Sequence, residues 1–231
     1  MGSSTWPRST WPTSWWRRRG VTAWTRATRR LPPTAPWPSS SLPQGSGRSE
    51  PGAAGPPVSE PFRWVIRRLG AADAAAYQAL RLAGFRGNPG EFRVAPEDEA
   101  GLTPAQVAER LARAYVAGGW SGERLVGIAG LTRYEGRKLD HRALLWGMYL
   151  APEARGSGLA GALVDDVLAE ARRQGLRQVL LTVAAPNARA IRLYETRGFV
   201  RYGVEPDAVR QPDGFMDEVL MLCRLPAPSA T

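Results

Sequence analysis

Residues 143–183 constrain the fold more tightly than any other stretch of the chain. "ALLWGMYL" (143–150) is apolar almost throughout and reads as a strand buried on both faces. A proline and a run of glycines follow. From Ser157 onward Leu159, Leu163, Val164, Val167, Leu168 and Ala171 recur at helical spacing, while Asp165, Asp166, Glu170, Arg172 and Arg173 take the outer face. Gly175 closes this helix, and "RQVLLTV" (177–183) reads as the next strand. A strand, a glycine loop, an amphipathic helix and a second strand require an α/β fold with the helix packed on a sheet.

The loop also carries chemistry. Gly156, Gly158 and Gly161 spell a literal G-x-G-x-x-G. A dinucleotide fingerprint needs its first glycine directly after the strand and an acidic residue about 20 positions on. Here Pro152, Glu153 and Ala154 intervene, and no acid occurs between Glu170 and Glu195. NAD is therefore rejected. A phosphate cradle fits better. Arg155, Gly156, Ser157, Gly158, Leu159 and Ala160 end where the helix begins, so free amides and the positive dipole end converge. Arg155 adds a charge, and the site suits two adjacent phosphates. The alternative is an ordinary loop whose glycines only open a helix.

The flanking elements are read from periodicity and caps. "FRWVIRRL" (62–69) alternates as a strand, and "AADAAAYQALRLAGF" is a helix of good formers. Residues 86–102 read as a loop. Thr103 before Pro104 opens a helix over "TPAQVAERLARAYV". "YVAGGW" and "RLVGIAGLTRY" flank Ser121-Gly122, a hairpin signal. Asn187 caps "ARAIRLYETR", which Gly198 closes. "FVRYGVEP" and "FMDEVLMLCRL" are the last strands, joined by a polar loop with Asp213-Gly214. The order β-α-α-β-β-β-α-β-α-β-β is mixed α/β and not doubly wound.

Composition divides the chain. Six of the nine Trp lie in the first 37 residues, and eight Arg against two Glu place +6 of the net +10 in residues 1–60. The remainder is only mildly basic, so nucleic acid is not expected as a partner. Residues 1–58 lack any period, and their breakers cannot bury enough apolar area to offset ordering. They read as a disordered basic tail, a transit peptide, or translation upstream of the true start with Val58 as initiator. The division is 1–58 as extension, 59–227 as the domain and 228–231 as a short tail. The single Cys223 fits a reducing compartment, and no apolar run reaches membrane-spanning length, so a cytoplasmic protein without a membrane partner is expected. One His, one Cys and no HExxH or CxxC give no support to a metal site.

Two separated stretches, "LAPEARGSGLAGALVDDVLAEA" and "LLTVAAPNARAIRLYETRGF", closely resemble the GNAT superfamily of N-acetyltransferases. Arg155, Gly158 and Ala160 match the family's R/Q-x-x-G-x-G/A. Asn187, Ala190, Tyr194, Gly198 and Phe199 match its N-x-x-A-x-x-x-Y-x-x-x-G-F. The resemblance spans about residues 62–225. It implies a mixed, largely antiparallel sheet with splayed central strands and flanking helices, and acetyl-CoA as co-substrate without a metal.

By that resemblance, residues Arg155 to Ala160 hold the pyrophosphate. The pantetheine arm lies between strands 143–150 and 177–183, bonded to main-chain groups such as those of Met148 and Leu150. Gly147 helps the first strand to bulge. The backbone N–H of Met148 polarises the thioester carbonyl. Tyr194 protonates the leaving thiolate, and Asn187 caps its helix and touches the pantetheine or a bound water. Tyr194 as a plain core aromatic is the alternative. The implied reaction is direct attack of a primary amine, on a small molecule or peptide, in a ternary complex. A non-catalytic acyl-CoA-binding or regulatory domain is the rival, and a homodimer is allowed.

A general base is needed because an alkylamine is almost wholly protonated at neutral pH. The family does not locate it. Glu218 is the selected candidate, beside Asp217, Tyr149 and Glu91. His141 reads as a strand-end polar residue and Cys223 as core. Acceptor recognition is expected on the first helices, loop 86–102 and loop 205–215.

Overall fold

The structure, a computed structural model, describes residues 62–226. The readings of residues 1–58 and of the tail 228–231 lie outside the described residues. Seven strands form one sheet: β1 Val65–Arg68, β2 Tyr115–Ser121, β3 Arg124–Arg133, β4 Arg142–Leu150, β5 Gln178–Ala184, β6 Val200–Gln211 and β7 Gly214–Arg224. Their spatial order is β1-β2-β3-β4-β5-β7-β6. Only β4 and β5 run parallel; every other pair is antiparallel. The helices are α1 Ala74–Gly87, α2 Pro96–Ala100, α3 Pro104–Arg113, α4 Leu159–Arg173 and α5 Ala188–Glu195. None of the described helices is long and apolar enough to cross a membrane.

The local signals act as their chemistry demands. Thr103 accepts from the Gln106 amide at 3.3 Å, and the Gln106 side chain accepts from the Thr103 amide at 2.8 Å, a reciprocal cap that starts α3. Asn187 Oδ1 accepts from the Ala190 amide at 2.9 Å and starts α5. Both devices satisfy donors that a helix start leaves free. α3 is shorter than its sequence pattern. It stops at Arg113, because Tyr115 already pairs with Leu131 across β2 and β3.

Adjacent residues of a strand point to opposite faces, and the sheet's two coverings follow from that rule. The ring of Tyr149 lies against Gly84 of α1, whereas the next residue, Leu150, shares the other face with Leu159 and Leu163 of α4. On the α4 face, Val167, Ala171, Val179, Leu181, Met221 and Cys223 are buried as core. Burial raises the Cys223 thiol above its usual value, so it stays a neutral core side chain.

Four expectations need correction. Strand 143–150 is not buried on both faces: Ala143 and Leu145 are buried, but Trp146 to Leu150 are half-buried, because β5 leaves β4 before that point. Segment 86–102 is not a plain loop, since it holds a turn at Pro89–Glu91 and the helix α2, where Pro96 takes the first turn with Glu97, Asp98 and Glu99. Loop 205–215 is mostly strand, because β6 continues to Gln211 and turns tightly to Gly214. A bulge between Glu205 and Val209 absorbs the extra length, with Asp207 at φ +52°. The polar loop expected around Asp213-Gly214 shrinks to that tight turn.

Candidate functional site

The central strands part. β4 and β5 pair only at Arg142–Gln178, Ala143–Val179 and Leu144–Leu180. Beyond Leu144, β4 stays with β3 and β5 stays with β7. A gap therefore opens between residues 145–150 on one side and 181–184 on the other. β4 bulges along this gap. Ile128 pairs with Tyr149 and Gly130 with Trp146, so Ala129 faces both Gly147 and Met148. Gly147 has φ +64°, a backbone that an L side chain resists, which is why a glycine sits at the bulge. The bulge turns Trp146 and Tyr149, three residues apart, onto the same α1 face.

The glycine loop lies at the start of α4. Gly158 is the N-cap residue at φ +85°. Ser157 Oγ donates to the Ala154 carbonyl at 2.7 Å and accepts from the Leu159 amide at 3.3 Å. The indole of Trp64 donates to the Ser157 carbonyl at 3.2 Å and ties the loop to the N-terminal strand segment. The amides of Arg155 and Ser157 fold back onto Pro152 and Ala154. Those of Gly156, Gly158, Ala160 and Gly161 donate to none of the described residues. Arg155 is exposed. Four open amides, a helix N-terminus and an exposed cation make an anion cradle.

Tyr194 stands near the end of α5, 5% exposed, with its ring edge-on to Phe199 at 5.7 Å. Burial pushes its phenol well above the usual value, so it stays protonated. Leu150 is half-buried on the α4 side of β4.

The α1 face of the gap is charged. Register carries that face from Trp146 and Leu144 to Leu180, Thr182 and Ala184, and on to Leu222, Leu220 and Glu218. Glu218 is 4% exposed. Arg93, from the segment before α2, donates Nε to Glu218 at 2.6 Å and Nη2 to both Glu218 and Glu205. These contacts hold the Arg93 guanidinium above its already high value. Phe92 stacks edge-on against Phe85 at 4.9 Å and Tyr149 at 6.2 Å. Segment 92–93 thus spans from β4 to β7 across the gap. A hollow bordered by Gly90, Ala185, Phe215 and Asp217 opens beside it.

Of the four base candidates, only Glu218 and Tyr149 border the gap. Asp217 is exposed and accepts from the Asp207 amide at 2.9 Å. Glu91 is exposed on its turn, and His141 is exposed in the turn before β4. Two arginines escaped the sequence reading. Arg93 could not be found, since its partner lies 125 residues away. Arg81 could have been found: it shares a helical stripe with Tyr77, Gly84 and Phe85, and an arginine on a buried stripe asks for a partner.

Comparison with known proteins gives a consistent result. A family model described as the acetyltransferase (GNAT) family matches residues 76–199, more than half of the chain. A mycothiol acetyltransferase of Geodermatophilus obscurus is 41% identical over 90 residues, which is 37% of this chain and 29% of that relative. The chain thus spans under a third of that relative's length. An uncharacterized N-acetyltransferase of Mycobacterium tuberculosis is 39% identical over 114 residues, 46% of this chain and 70% of the relative. An acetyltransferase structure from Salmonella typhimurium, solved with its cofactor acetyl-CoA, superposes with a TM-score of 0.61 at 20% identity, covering 73% of this chain and 98% of that one.

Proposed function

The chain belongs to the acetyltransferase (GNAT) family, and from that premise we propose that it transfers an acetyl group from acetyl-CoA to a primary amine of a small molecule or peptide. One observation carries the reading. The gap between β4 and β5 opens at Leu144 and Leu180, with the phosphate cradle at the start of α4 and a charged cleft on the α1 face. A long thiol cofactor anchored by its phosphates needs such a gap to present its end to an acceptor on the far face.

In this reading Arg155 to Ala160 hold the pyrophosphate through open amides and one cation. The main chain of Met148 and Leu150 and the side chain of Asn187 line the arm. The Met148 N–H, at the bulge, donates to the thioester oxygen as it gains charge. Tyr194 stays protonated and gives the departing sulfur a hydrogen bond and then its proton. Glu218 receives the proton of the amine, directly or through a water, and Arg93 keeps that carboxylate in place. The amine attacks the thioester carbon in a ternary complex, the C–S bond breaks, and CoA leaves as the thiol. The domain is assigned to residues 59–227.

Acetyl-CoA supplies the acyl group, and no metal enters any step. A calorimetric titration of the full chain with acetyl-CoA, with NAD as control, tests the reading. Micromolar binding that is lost in Arg155→Ala and Gly158→Glu supports it. A folded chain that binds no acetyl-CoA overturns it.

A further inference from the structure

One buried arginine on the acceptor side leaves a nitrogen unused. Arg81 is 6% exposed. Its Nε and Nη2 donate to Glu99 at 2.8 and 3.1 Å, so one edge of the guanidinium is committed. Its plane is hemmed by the rings of Phe85, Tyr77 and Trp146, at 4.8, 5.4 and 5.8 Å from Cζ. Nη1 donates to none of the described residues. It points at the bulge: a Cβ built on Gly147 would lie 3.0 Å from it. Nη1 is not among the fully buried polar atoms that lack a partner, so solvent, and with it an anion, can reach it. Here it is held rigid, one residue from Met148.

We propose that Arg81 Nη1 binds a carboxylate of the acceptor, making this chain selective for amines that carry an acid group, amino-acid-like acceptors, over the corresponding plain amines. The inference rests on the acetyl-transfer reading and deepens it. The charge order of the cleft supports it. Glu218 lies on the β7 side of the gap and Arg81 on the β4 side, on one face. An acceptor with its amine toward Glu218 and its acid toward Arg81 matches both poles. A phosphate dianion fits less well, since only one nitrogen is open and Glu205 adds a second negative charge to the same cleft. The guanidinium is pre-oriented by Glu99 and the three rings, so little order is lost when the anion binds.

Matched pairs test this with the full chain: glycine against methylamine, alanine against ethylamine, and phenylalanine against phenethylamine, each with acetyl-CoA. The acid-bearing member is expected to show kcat/KM at least ~10-fold higher, the scale of one charge-assisted hydrogen bond. Arg81→Met should erase that difference. Arg81→Lys keeps a charge on Glu99 but loses the second arm of the fork, so it should fold and still lose the preference. Arg110→Gln is the control. It removes the other cation from Glu99, lowers the melting temperature and keeps the preference. Equal rates within each pair, a preference retained in Arg81→Lys, or no reaction with any acid-bearing amine in a chain that binds acetyl-CoA would each overturn the inference. Failure to bind acetyl-CoA would overturn the proposed function, and this inference with it.

Discussion

Gly158, the N-cap of α4, and Gly161, inside its first turn, should respond differently to alanine. Gly158 sits at φ +85°, and a Cβ there would meet no atom within 4 Å. The cost of Gly158→Ala is thus conformational alone. A left-handed backbone costs an L residue about 1–2 kcal/mol, and the stiffer unfolded chain returns about 0.4–1 kcal/mol. The net loss is about 1 kcal/mol. Gly161 has no positive φ, but a Cβ there would lie 1.9 Å from Arg197 Nη2. That atom is the far end of a flexible side chain, and its partner Asp165 is 58% exposed. Displacing such a pair costs under ~1 kcal/mol, while alanine favours the helix by up to ~1 kcal/mol. Gly161→Ala should therefore be near neutral. In a thermal melt of a domain this size, Gly158→Ala should lose roughly 2–4 °C, with Gly161→Ala inside ~2 °C of the parent. Acetyl-CoA affinity should fall ~10-fold or more in Gly158→Ala, because the cap sets the direction of the open amides, and hold within about threefold in Gly161→Ala. A neutral Gly158→Ala in both assays, or a Gly161→Ala that loses as much, would refute the reasoning.

Three other outcomes follow from the same contacts. Burial pushes the Glu99 carboxyl up, but its hydrogen bonds to Arg81 and Arg110 outweigh this and hold it below the usual value. It therefore adds stability above the unfolded carboxylate range, and that share disappears as pH falls through its depressed value. Glu99→Gln should flatten this acid limb and lower neutral-pH stability by about 3 kcal/mol, since it leaves the buried Arg81 charge unpaired; denaturant melts from pH 3 to 7 check both. Glu218→Gln should reduce kcat by roughly 10²-fold or more at neutral pH, with acetyl-CoA affinity unchanged, if it accepts the amine proton. An unchanged kcat in that variant would move the base elsewhere. Tyr194→Phe should leave the melting temperature equal or higher, since no hydrogen bond to its hydroxyl is seen among the described residues, while steady-state rates drop; an unaltered kcat would take Tyr194 out of the proton path.

What could be read from the sequence was short-range. The cap at Thr103, the cap at Asn187, the stripe of α4 and the glycine turn at Gly158 depend on spacings of three or four residues, which one segment displays alone. The splay was legible only through the family resemblance, not from the strand itself. An apolar strand such as 143–150 looks buried on both faces whether a neighbouring strand or a cofactor arm lies beside it, because both demand the same side chains. Only Gly147 hinted at the departure, and a glycine in a strand has several meanings.

The acceptor side was illegible for a second reason, and Glu99 illustrates it. "PEDEA" has the look of a solvated acidic run, and Glu97 and Asp98 are indeed exposed. Their neighbour Glu99 is 1% exposed because Arg81 comes from the preceding helix and Arg110 from the following one. The cleft is walled by such ion pairs between segments: Arg81 with Glu99, and Arg93 with Glu218 and Glu205. Each pair couples charges that sequence places in unrelated windows, and none has a period. The cofactor side uses backbone amides, which any chain supplies once glycines shape the turn, so its sequence mark is compact. The acceptor side uses side chains drawn from α1, α2, β6 and β7, so its mark is scattered. On the proposed reading, a change at Arg81 or Arg93 is expected to alter which amine is chosen while leaving the glycine loop, and with it the cofactor, untouched.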